Sequence, residues 1–147
     1  MKICAIYSYE ESFTKDINGH DVVENRPCAA DRAIAAALRS LGHIVVLEHF
    51  NKNDLPSIKK EYDLVFNLCD GFNDDSLNEE MVLAAFEEAD ITFTGCGAAT
   101  VRLCTSKAAA KEAFAKKGIC VAPFQLMTTG EEQLFDGLQF PLIVKPN

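Results

Sequence analysis

The chain has 147 residues, 48% of them hydrophobic, 24% charged and 9% aromatic, which is the profile of a folded globular chain and excludes disordered and collagen-like classes. Fourteen Lys and Arg against 22 Asp and Glu leave a net charge of −8. Lys59-Lys60 and Lys116-Lys117 are isolated pairs rather than a basic stripe, so nucleic acid is not expected as a partner.

In chain order, Lys2–Ser8 (KICAIYS) is a nearly continuous apolar run, the pattern of a strand buried on both faces. A polar stretch from Glu10 to Arg26 follows, containing Asn18-Gly19, and its length suggests a binding loop. Pro27 suits the first turn of a helix whose apolar face carries Ala30, Ala33, Ile34, Ala37, Leu38 and Leu41, closed by Gly42. His43–Glu48 predicts the second strand, Asp54–Lys60 a short helix and Leu64–Leu68 the third strand. Ser76 and Glu79 have capping-box spacing, opening a helix with Leu77, Met81, Ala84, Ala85 and Phe86 on its apolar side.

Ile91–Phe93 predicts a short fourth strand, running into Thr94-Gly95-Cys96-Gly97 and a helical turn over Ala98–Leu103. A stronger helix spans Ser106–Lys117 and stops at Gly118. Ala122–Met127 and Phe140–Lys145 each predict a strand, with a helical turn at Glu131–Phe135 between them. Alternating strands and helices over the first hundred residues predict an α/β fold with a Rossmann-like, doubly wound parallel sheet. The alternation loosens near residue 104, which places a domain boundary there: 1–104, then 105–147. The apolar strand expected just before Asn147 makes this the expected front part of a longer protein.

No stretch approaches the roughly 18 apolar residues of a membrane span, and the first residues turn acidic too early for a signal peptide. A cytoplasmic protein without a membrane partner is expected. Cys4, Cys28, Cys69, Cys96, Cys104 and Cys120 form no C-x-x-C and sit mostly in apolar runs, so reduced, mostly buried thiols are expected. His20, His43 and His49 lack zinc-ligand spacing.

Several residues carry possible chemistry. The P-loop pattern G-x-x-x-x-G-K-[ST] is absent. Gly95-Cys96-Gly97 is a partial dinucleotide fingerprint after the fourth strand rather than the first, which makes a nicotinamide oxidoreductase a poor fit. Lys107 falls in the first turn of a helix capped by Thr105 or Ser106, where exposed amides and a cation make a phosphate site; a solvated surface Lys is the plainer alternative. Lys145, the charge within PLIVKPN, either snorkels at a sheet edge or points into a polar pocket. The loop Asp70–Asp75 puts three carboxylates at the C-terminal end of a buried strand, the ligand side of open α/β sheets, and is equally a solvated turn. Asn67, polar inside LVFNL, is expected to hold loop backbone.

Together, DLVFNLCDG (63–71), the stretch 91–124 from ITFTGCGAAT to GICVAPF, and FPLIVKPN (140–147) resemble the N-terminal part of the ATP-grasp ligases, in particular the D-alanine–D-alanine ligase branch. The resemblance implies a pre-ATP-grasp domain followed by the first part of an ATP-grasp domain. It also implies ATP contacts from Lys107 and Lys145, and a ligase joining a carboxylate to an amine through an acyl phosphate. Mg²⁺ is implied with ligands beyond residue 147, leaving none of the catalytic residues within this chain, and a homodimer is a further implied partner. The branch's Gly-Gly-x-Ser-x-Glu loop is replaced by Tyr7-Ser8-Tyr9-Glu10-Glu11-Ser12, and its His-Gly by Asp70-Gly71. Glu10, Asp70 and Gly71 are thereby the implied contacts of a small amino-acid or peptide-like substrate, and the two departures leave its identity open. The alternative is a non-catalytic Rossmann-like module that binds a small ligand.

Overall fold

Six residues, Lys2–Tyr7, form β1 at the centre of a three-stranded parallel sheet. The structure, a computed structural model, describes residues 1–8, 11–15, 18, 21–69 and 79–147, with 11–15 and 21–25 described by backbone alone. They form two compact units, Met1–Ala98 and Ala99–Asn147.

In the first unit β1 lies between β4 (Ile44–His49) and β5 (Leu64–Leu68), in the order β4-β1-β5. Register runs Ile3↔Val45 and Ile3↔Leu64 through Tyr7↔His49 and Tyr7↔Leu68. Successive side chains on a strand point to opposite faces, so register sorts the core. Ile3, Ala5, Val45, Leu47, Leu64, Phe66 and Leu68 share one face, on which Ala35 and Leu38 of α1 (Ala29–Ser40) pack. Cys4, Ile6 and Val65 occupy the other face and are also buried. Val65 bridges in parallel to Phe93, whose ring meets Phe86 of α3 (Glu79–Glu88) at 5.4 Å, and Phe86 meets Phe50 edge-on at 5.9 Å. Helices thus cover both faces, as the apolar run of β1 predicts. α2 (Leu55–Glu61) follows a short helical turn at Lys52–Asp54 and buries Leu55 and Ile58.

Local chemistry sets the ends of these elements. α1 starts at Ala29 rather than at Pro27, because Cys28 caps it: Asp31 N–H donates to Cys28 Sγ and Cys28 N–H donates to the Asp31 carboxylate. That reciprocal cap draws Asp31 to the buried side, so the inward face is Asp31, Ile34, Ala35 and Leu38. Ala33 and Ala37 face outward, and Leu41 is 73% exposed. Gly42 takes φ +86 at the expected helix stop; its N–H donates to Arg39 O while His43 N–H donates to Leu38 O. α3 likewise turns Val82, Leu83, Ala85 and Phe86 inward and leaves Met81 outside. The Ser76 cap and Leu77 lie outside the described residues.

Three expectations are corrected. The polar stretch 10–26 contains an antiparallel hairpin, β2 (Glu11–Lys15) with β3 (Asp21–Asn25), paired Phe13↔Val23 and forming a sheet of its own. Asn-Gly between two runs containing Phe and Val is a hairpin signal, and the surrounding acids obscured it. The fourth strand shrinks to the Val65–Phe93 bridge, held by Val65 N–H to Thr92 O and Thr94 N–H to Val65 O. Cys96, Cys104 and Cys120 are exposed, so only half of the cysteines are buried or half-buried.

The second unit holds α4 (Ala98–Thr105, beginning on the last residue of the first unit), α5 (Lys107–Lys116) and irregular chain from Gly118 to Asn147. α5 stops at Gly118 by the same pair of bonds as α1, Gly118 N–H to Ala115 O and Ile119 N–H to Phe114 O. The strands expected at 122–127 and 140–145 and the helical turn at 131–135 do not form. An apolar run becomes a strand only where another strand satisfies its amides. Here residues 125 and 133–135 are joined instead through the Gln125 amide, which donates to Gln133 O and accepts from Phe135 N–H. Glu132 accepts from the amides of Thr128, Thr129 and Gly130 and from the Thr128 hydroxyl, which fixes that segment as a turn.

Candidate functional site

In the first unit, β1 and β5 end side by side, Tyr7 opposite Leu68, at the edge of the sheet where open α/β folds bind ligands. Asn67 organises that edge. Its N–H donates to Thr94 Oγ1 at 3.0 Å, and its side-chain oxygen accepts from Cys69 N–H at 3.1 Å. Cys69 Sγ lies 3.6 Å from Ile6 O, a sulfur-length contact. One polar side chain thus fixes the direction in which the chain leaves β5, the backbone-holding role expected of Asn67. Thr94, not expected from the sequence, locks the neighbouring segment to it.

At the same ends of β1 and β4, the Tyr7 and His49 rings meet edge-on at 5.7 Å. Burial, then the nearby Glu48 and Asp31 charges, raises the Tyr7 phenol, and burial lowers His49. Burial, with Glu48 adding, pushes the Cys4 thiol up to about 12, so Cys4 is a core thiol and no nucleophile. The implied substrate contacts Glu10, Asp70 and Gly71 lie outside the described residues.

The glycine-rich turn is occupied by the chain itself. Gly95 has φ +106, and the first amide of α4, Ala98 N–H, donates to Glu87 Oε1 at 3.2 Å. A Cβ at Gly97 would collide with that same oxygen. The position a dinucleotide phosphate would take at a helix N-terminus therefore holds a carboxylate, which weighs further against a nicotinamide site here.

In the second unit, Ser106 is the cap of α5: its hydroxyl accepts from Ala109 N–H at 3.2 Å. Asn147 Oδ1 accepts from Ala108 N–H at 2.8 Å and lies 3.3 Å from Ser106 Oγ. The structure therefore brings Asn147 against the first turn of α5, on which Lys107 stands. Both lysines are exposed, and neither forms an ion pair among the described residues. The open amides expected around Lys107 are instead mostly taken, by Ser106 and by Asn147. What remains for an anion is the positive end of the helix and two uncommitted cations. Among the described residues no group of three or more His, Cys, Asp and Glu is placed to hold a metal, and no helix is long and apolar enough to cross a membrane.

Comparison with known proteins points one way. The chain is similar to a D-alanine–D-alanine ligase. Identity with that enzyme of Geobacter sulfurreducens is 30% over 124 residues, which is 81% of this chain and 38% of the relative. The chain thus matches under two-fifths of the relative's length. No model of a protein family matches it, and no solved structure does.

Proposed function

We propose that this chain is the front portion of an ATP-dependent ligase that joins a carboxylate to an amine. The likeness to a D-alanine–D-alanine ligase over four-fifths of the chain carries the reading. The contact of Asn147, two residues beyond Lys145, with the first turn of α5 supports it. Lys107 and Lys145 bind the ATP phosphates and neutralise charge as the phosphoryl group moves to the substrate carboxylate. ATP supplies that phosphoryl group, the acyl phosphate is attacked by the amine, and inorganic phosphate leaves. Asn147 ties the end of the irregular segment to α5, and Ser106 fixes the turn on which Lys107 sits. Mg²⁺ would take its ligands from beyond residue 147 and would offset the phosphate charge alongside the lysines.

On the substrate side the reading assigns Glu10, Asp70 and Gly71, reached from the sheet edge that Asn67 and Thr94 organise. Asp70 stands where the ligase branch has His, which leaves the identity of the amino-acid or peptide-like substrate to be read from a substrate screen.

Amino-acid-dependent ADP release by the full-length protein tests this. Lys145→Ala removes a charge-assisted contact of about 1.5–3 kcal/mol, so the KM for ATP rises roughly 10- to 100-fold. Asp70→His moves the amino-acid preference with KM for ATP unchanged. No amino-acid-dependent ADP release from any amino acid or dipeptide overturns the reading.

A further inference from the structure

Among the described residues β4 is the last strand on its side of the sheet, paired with β1 alone. Ile44 N–H donates to Met1 O, and Phe50 N–H to Tyr7 O. Even-numbered residues of β4 therefore turn their amides and carbonyls toward β1, and Val45 and Leu47 turn theirs outward. The strand reads Ile-Val-Val-Leu, β-branched and apolar, and Ile44 is 66% exposed at its start. Such an edge is a template for another strand.

The outward carbonyl of Val45 is nevertheless taken. Arg39, in the last turn of α1, lays its guanidinium across the edge and donates twice to Val45 O, from Nε at 3.1 Å and Nη2 at 2.8 Å. Arg39 O also accepts from Gly42 N–H in the turn that ends α1, so the arginine is anchored at its backbone while its side chain reaches the strand. A cation parked on a carbonyl of a free edge blocks the incoming amide that strand addition needs.

We propose that Arg39 is a strap that closes the β4 edge against pairing with a second copy of this chain. The partner is a second copy because an edge of alternating donors and acceptors is complementary to itself across a two-fold axis. Without the strap, Val45 and Leu47 of one chain pair antiparallel with those of another. The positive charge that the strap adds to the edge repels an identical edge as well.

Sedimentation of the purified chain and its variants tests this, with circular dichroism as the check on folding. Arg39→Met keeps the aliphatic stem and loses the fork; its sedimenting mass at least doubles relative to the unmodified chain, with added β signal. Arg39→Lys keeps charge and helix propensity, loses one prong and gives an intermediate mass, and it covers the case in which the Met variant fails to fold. Ile44→Lys, added to Arg39→Met, places a new charge on the same edge and returns the mass to that of the unmodified chain. The proposal is overturned if both folded Arg39 variants keep the original mass, or if Ile44→Lys does not reverse the increase.

Discussion

KICAIY at the start of the chain and PLIVK near residue 145 are nearly interchangeable as patterns, yet their fates are opposite. The first is β1, hydrogen-bonded on both edges and buried on both faces, with Ile3, Cys4, Ala5 and Ile6 at 2% exposure or less. In the second, Ile143 and Val144 are 83% and 94% exposed and pair with nothing among the described residues. Apolar character therefore decides what a segment can bury, and neighbouring strands decide whether it does. The contrast extends to energetics. The first unit rests on packing, while the second rests on caps, from Ser106, Asn147, Gln125 and Glu132.

The largest expected effect sharpens that contrast. Phe86 is fully buried between Phe50 and Phe93, and Phe86→Ala costs about 3–5 kcal/mol in urea unfolding. Val144→Ala, in an exposed run of equal hydrophobicity, stays within about 0.5 kcal/mol. Equal losses at the two positions would show that the second run is buried after all.

A middle-sized effect concerns the glycine-rich turn. Glu87→Ala removes the cap on α4 and costs about 1 kcal/mol. Gly97→Ala pushes the same carboxylate away, so its cost in the unmodified chain exceeds its cost in the Glu87→Ala background by about 1 kcal/mol. Additive costs in this double-mutant cycle would mean that the glycine and the carboxylate act separately.

The smallest effect is a pH dependence confined to the first unit. Burial holds His49 below its ordinary value, so the unfolded chain binds the proton more readily than the folded one. The contribution to stability is complete above the unfolded value of about 6.5 and is lost as pH falls through the window below it. The unmodified chain thus loses more stability between pH 7.5 and 5.5 than His49→Gln does, read as the difference in urea midpoints. Parallel pH profiles would remove His49 from that balance.

Much of this architecture was legible in the residues. β1, β4 and β5, both glycine helix stops and the Ser106 cap follow from local pattern, because each depends on chemistry within a few positions. Which face of α1 turns inward was not legible: seven alanines and leucines surround the helix, and the Cys28–Asp31 cap, not hydrophobicity, orients it. The hairpin was hidden by its acids despite Asn18-Gly19. At the candidate site, the lysines and Asn67 stand out as polar residues in apolar runs. Thr94, Glu87 and Asn147 do not, since each acts through a partner far along the chain, and a contact of that kind leaves no local trace.

The position of β1 in the chain also has a consequence in time. It precedes both of its partner strands: β4 follows it by some forty residues and β5 by some sixty. At roughly 5–20 residues per second, the most apolar segment of the protein waits about 3–12 s for its second partner strand. During that interval the hairpin, α1, β4 and α2 are made, and β4 is the first of the described strands to pair with it. Early folding of this chain is thus a matter of sheltering one strand until the two that complete it have been made.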